Sequence, residues 1–293
     1  MSDNDFRARI ARNLILLEDI AEHAPKAIPI NLVNSGSVLT LDDEALAPYQ
    51  LSPVVSNCLT TARDVLATTR VVLDDDGAIR VPLVGLYPLL RSALESSALC
   101  IWLLSPDEPA IRYARAISVR WTDIVHDHNI NEDVIAAYEE HDAEARSHKA
   151  SAVRQNAKQT ERKKTQLKRV AARLGIQIVK RPGFGPIVGD AGSVVELHEG
   201  NLRGAYGILS GLTHPSLSGT MRMSNVTRGE SNGNGRLVVN MSANLQTVAF
   251  AIDAALVMYM EATSLLEKRV AITGIRWPTE ETGKRLLAHR QGG

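Results

Sequence analysis

Apolar residues along this chain recur at intervals of three and four, the period of a helix with one covered face. From Asp3 to His23 they are Phe6, Ile10, Leu14, Leu17 and Ile20, and Pro25 closes the run. A second helix is predicted from about Pro53 to Leu73, ended by the turn Asp74-Asp75-Asp76-Gly77. Residues 25 to 52 hold scattered prolines, Asn34 and Gly36, and predict irregular connection with one turn of helix. The stretch from Pro82 to Leu104 departs from this pattern, being apolar on every side with Arg91 and Glu95 as its only charges. Its length could cross a bilayer. Two opposite charges, Pro82, Pro88, Ser96 and Ser97 argue against that and predict the central helix of a soluble bundle.

Ser105-Pro106-Asp107-Glu108 reads as a helix start, with serine as N-cap and glutamate three residues on as a capping box, and the helix it opens runs to His128. Asn131-Glu132-Asp133 predicts the next start, and one long charged helix is expected over 131–174 with Gly175 as its end. Residues 175–200, dense in Gly and Pro, read as loop with a turn near Val194 to Leu197. Asn201 opens a short helix to Thr213, stopped by Pro215. The Ser, Asn and Gly-rich stretch 224–236 is the candidate flexible loop. Ser242 is expected to open the last core helix, through about Val270, whose centre from Leu245 to Met260 is apolar on all sides save Asp253, and Thr279 to Arg290 a small tail helix. The class is therefore all-α, a single domain over 1–293 built as one helical bundle of about seven to nine helices.

Composition narrows the function classes. Lys plus Arg and Asp plus Glu number 33 each, so the chain as a whole carries no electrostatic footprint for nucleic acid or an anionic membrane. The two cysteines, Cys58 and Cys100, lie in apolar contexts without metal-ligand spacing and fit a reduced, cytoplasmic protein. The N-terminus shows no signal-peptide pattern. No P-loop, dinucleotide fingerprint, nucleophile elbow or zinc-finger spacing occurs, so no cofactor is expected.

Charges isolated in apolar helices are the most informative residues, because acids and bases are rarely buried unless paired. Arg91 and Glu95, four apart, share a face. Asp253 and the segment carrying Tyr206, Ser210 and His214 are the other two such groups, with Arg112, Arg115 and Arg120 as natural counter-charges. The expectation is that they meet in one buried polar centre, either a structural network or a ligand pocket. Asp123 with His126 and Glu144 with His148 have spacings that could ligate a metal, although a solvated turn accounts for them more simply, and no metal site is assigned. From Arg146 to Arg181 there are twelve Lys or Arg and one acid, Glu161. That helix is read as a solvated face or a contact between two copies ahead of a nucleic-acid surface.

Arg120-Trp-Thr-Asp-Ile-Val-His126 resembles the Arg-x(4–6)-His spacing of HEPN ribonucleases, with Trp121 where those enzymes usually have a polar residue. Arg91 to Glu95 (R-S-A-L-E), Trp102-Leu103-Leu104, Arg112 to Ala116, and Tyr206, Leu209, Ser210 and His214 together resemble a group of uncharacterised bacterial all-helical proteins. That resemblance brings no activity, but it implies that Arg91, Glu95, Arg112, Arg115, Ser210 and His214 go together. The functional expectation is a helical binding or interaction protein, self-associating, with a small molecule or RNA as possible ligand and no membrane. The alternatives are a HEPN-like ribonuclease or toxin-type enzyme using Arg91, Glu95, His214, Arg120 and His126, and a metal-dependent enzyme.

Overall fold

The computed structural model describes residues 2–24, 34–139, 141–195, 199–213, 216–229, 239–282 and 284. These form an all-α protein with ten named helices and two small hairpins. The helices are α1 (Asp3–His23), α2 (Val38–Leu46), α3 (Ser52–Leu73), α4 (Tyr87–Leu104), α5 (Pro109–Ala136), α6 (Ala143–Arg173), α7 (Phe184–Val194), α8 (Glu199–Thr213), α9 (Leu217–Arg222) and α10 (Leu245–Val270). Strands β1 (Asp74–Asp75) and β2 (Ala78–Ile79) pair antiparallel, as do β3 (Ser224–Arg228) and β4 (Val239–Ala243). The chain divides into two compact units, one of Met1–Ser37, Pro53–Ser105 and Gly183–Gly293, the other of Val38–Ser52 and Pro106–Pro182.

The first unit is built on α4 and α10, which pack on each other, with α7 and α8 also against α4 and α1 against α10. Helix α4 starts at Tyr87 with Pro88 in its first turn, where a missing N–H costs nothing, and residues 82–86 stay outside it. Leu90, Leu94, Ala98, Ile101 and Leu104 are fully buried along it, as are Val248, Ile252, Ala255, Met258 and Leu266 along α10. Helix α10 is long and apolar enough to cross a membrane by length and composition, yet 67% of that window is buried inside the protein, as in a core helix. Its Arg269, 5% exposed, donates from Nε to the Leu104 carbonyl at 2.9 Å and from Nη2 to the Ser105 carbonyl at 3.2 Å. A cation thus closes the electronegative end of α4. Arg63 of α3 serves α1 in the same way, donating to the carbonyls of Ala21 and Ala24.

In the second unit α5 and α6 pack antiparallel and α2 lies against α5. Arg112 of α5 and Asp42 of α2 form a bidentate pair, 2.6 Å from Nε to Oδ2 and 2.8 Å from Nη2 to Oδ1, with side chains 2% and 1% exposed. Nη1 of Arg112 donates to the carbonyls of Pro106 and Asp107, so the buried guanidinium is met on three sides. Near the α5–α6 turn the seam is polar. Asn131 Nδ2 donates to Asn156 Oδ1 at 3.3 Å, and Asn156 Nδ2 lies 3.0 Å from His128 Nδ1, with Thr160 Oγ1 3.3 Å from the same nitrogen. Further along, Ile124 of α5 and Leu167, Val170 and Ala171 of α6 restore an apolar contact.

Several boundaries differ from the sequence expectation for identifiable reasons. The Ser105 cap is not used: α5 starts at Pro109, because a residue before proline is held extended, and Glu108 is (ψ 120°). Asn131 caps nothing, since it lies inside α5 with its side-chain amide donating to Asn156; α5 runs on to Ala136 and the long charged helix begins only at Ala143, capped by Asp142. It ends as expected at Arg173 before Gly175 (φ +68°). The Gly-rich loop contains α7, whose Gly192 would bring a Cβ within 3.1 Å of the Leu202 side chain, so glycine there permits close packing on α8. The candidate flexible loop begins instead with β3, paired in the register Ser224↔Ala243, which moves the start of α10 to Leu245 with Asn244 as cap. Residues 230–236 of that loop, and 283 and 285–290 of the tail helix, lie outside the described residues.

Removing Asp42 strands a buried cation. Asp42→Ala is expected to lower stability by about 3–5 kcal/mol, read as a fall in the denaturant midpoint, against under 1 kcal/mol for Asp75→Ala on the exposed pair with Arg80.

Candidate functional site

Helix α8 has two working faces. Tyr206 and Thr213, seven residues apart, meet Arg91 of α4, while Ala205, Ile208 and Leu209 wall a groove whose other residues come from α1 and α10. On the first face, Arg91 Nε donates to Glu95 Oε1 at 2.9 Å, Nη1 to Thr213 Oγ1 at 2.9 Å, and Nη2 to the Tyr206 hydroxyl at 3.5 Å. The guanidinium also lies 5.6 Å from the centre of the Tyr206 ring. Thr213 Oγ1 passes its own proton to the Ser210 carbonyl at 2.7 Å. Arg91 and Glu95 are 25% and 18% exposed, so the cluster is half-buried and open to small molecules at one side. Burial, and then the charge of Glu95, raise the Tyr206 hydroxyl above its ordinary value, while Arg91 pulls the other way.

The groove is a cavity of about 530 Å³ lined by Phe6 and Arg9 of α1, Ala205, Ile208 and Leu209 of α8, and Gln246, Thr247, Phe250 and Ala251 of α10. Two of the chain's three phenylalanines edge it, and Phe250 is 42% exposed on a largely buried helix. Arg9 forms an ion pair with Asp253, whose Oδ1 also accepts from Asn13 Nδ2 at 2.7 Å. The groove thus has apolar walls and three polar lining residues, Arg9, Gln246 and Thr247.

The expected single polar centre is divided. Arg91, Glu95 and Tyr206 come together as expected, and Ser210 adds its backbone carbonyl. Asp253 does not join them: it is held by Arg9 and Asn13, four apart on α1, which supply a cation and an amide. Arg112 is satisfied within its own unit by Asp42, a carboxylate that its planar fork fits on two bonds. Arg115 is half-buried on α5, and Arg120 donates to the Gln50 carbonyl at 3.2 Å. His126 is exposed, and the six-residue offset turns it about 120° around α5 from Arg120. His214 lies outside the described residues. Glu144 and His148 approach to 3.9 Å as an exposed surface pair. Among the described residues no three His, Cys, Asp or Glu side chains group to hold a metal ion. Sequence reasoning missed the groove, whose one signal was an aromatic, Phe250, three residues before Asp253.

No family model matches the chain, and no curated protein or solved structure shows significant similarity to it.

A phenol raised in the folded state adds stability that is complete below about pH 10 and is lost as pH rises through its folded value. The denaturant midpoint is expected to fall on that side, and Tyr206→Phe to flatten the fall. In Glu95→Gln the Tyr206 tyrosinate absorbance, isolated by subtracting the Tyr206→Phe spectrum, should titrate at lower pH.

Proposed function

We propose that this protein is a binding protein whose groove between α1, α8 and α10 holds a small, largely apolar molecule with one polar group. The observation that carries the reading is the groove itself. Its volume, about 530 Å³, lies within the range of small-molecule sites, its walls are aromatic and aliphatic, and three polar residues, Arg9, Gln246 and Thr247, line it. Arg9 is 36% exposed and already neutralised by Asp253, which favours a neutral hydrogen-bonding group over a second carboxylate. The Arg91 cluster shares α8 with the groove, and this supports a role for it in holding that helix in place. A reduced, cytoplasmic setting accords with Cys58 and Cys100, both buried and outside any disulfide. For the ribonuclease alternative, the divergence of Arg120 and His126 around α5 lends no support.

Titration with N-phenyl-1-naphthylamine, a neutral fluorescent apolar amine, tests the proposal. The wild type should take up the dye saturably. Ile208→Trp, which fills the groove, should weaken it at least tenfold, about 1.4 kcal/mol, while Val71→Ser, at an exposed site 68% accessible, should not. A folded Ile208→Trp protein that binds dye like the wild type would overturn the reading.

A further inference from the structure

Helix α6 turns one face to its seam with α5, through the buried Asn156, Thr160, Leu167, Val170 and Ala171. On the opposite side lie Arg154, Lys158, Arg162 and Arg169, at offsets that keep them within about 80° of one another around the axis. All four are exposed, and among the described residues none meets a carboxylate. The acids nearby are already spent: Glu161 lies 3.5 Å from Lys164 and Asp127 3.8 Å from Lys163. The chain's zero net charge therefore hides a segregated one, since residues 154–173 hold eight bases and one acid.

We propose that this face of α6 is a docking surface for the phosphate backbone of nucleic acid, read without regard to sequence. Along the helix the four cations span about 22 Å and can track successive phosphates, the one acid beside them, Glu161, being held by Lys164. Glu161, Thr165 and Gln166 sit with Arg162 and Arg169 around a shallow depression, where Thr165 and Gln166 can donate to phosphate oxygens. The face carries no aromatic to stack on bases. The nearby Trp121 is flanked by Lys164 and Lys168, 5.9 and 5.8 Å from its ring centre. Two other partners fit less well. A membrane-surface helix needs large apolar groups beside its cations, and this face has none. A second copy docked face to face would set four cations against four.

Fluorescence anisotropy of the full chain with a labelled duplex, run as both RNA and DNA, is the test. Binding in the micromolar range at low salt is expected, with log K falling against log salt at a slope of about −3 to −4. Each single alanine at Arg154, Lys158, Arg162 or Arg169 should reduce that slope by about one. The fourfold alanine variant should lose at least a hundredfold in affinity with its helical circular dichroism intact. Arg80→Ala, a 77% exposed cation elsewhere, should bind as the wild type does. The proposal is overturned by any of three results: no saturable binding at low salt, a fourfold variant that still binds, or tighter binding to phosphatidylserine vesicles than to the duplex. Sedimentation that turns from dimer to monomer in the fourfold variant, with no nucleic-acid binding, overturns it in favour of self-association.

Discussion

The carbonyl end of α4 is buried, and Arg269 closes it. Four unpaired carbonyls at a helix end demand donors, and the loop after Leu104 leads out of the unit rather than folding back. A cation from the last turn of α10 fills that need and fixes how far the two central helices can slide along one another. The same rule, that a charge in the core is neutralised by the nearest available group, governs the rest of the molecule. Arg91 turns to Glu95, Asp253 to Arg9 and Asn13, and Arg112 to Asp42. Desolvation makes a long search for a better partner costly, so charges are settled locally and the polar residues do not gather at one point.

That locality explains what could be read in the sequence. The helical class, the central place of α4, the Arg91–Glu95 pair, the turn at Asp74 to Gly77 and the stop before Gly175 all follow from spacings of three to five residues. Partners of Asp253 and Arg112 lie 240 and 70 residues away, and nothing local marks them. Glu108 illustrates a conflict legible only in hindsight. It scored as the end of a capping box, yet the proline after it forbids the helical backbone that role needs. Helix α7 is hidden in the sequence because glycines are poor helix formers in isolation, while Gly192 is there for the close approach of α8.

The site follows from how α8 is shared. One side of it is tied to α4 by hydrogen bonds and a ring contact, and the other is left as an apolar wall facing α1 and α10. A wall held in register by polar contacts on its back keeps its shape when empty, and a preformed cavity loses less on binding than one that must be assembled. The groove needed three helices from opposite ends of the chain, so no window of sequence could display it.

The amide-lined seam at the α5–α6 turn sets how that end of the hairpin behaves. Separating Asn131 from Asn156 and His128 from Thr160 hands each group to water and bares little oil beyond Ile135, so the hydrophobic penalty that guards a methyl-packed seam is small there. Fraying should therefore begin at the turn and halt near Leu167. Backbone protons around residues 131–156 would then swap with solvent through small local excursions, while those beside Val170 wait for a much larger opening.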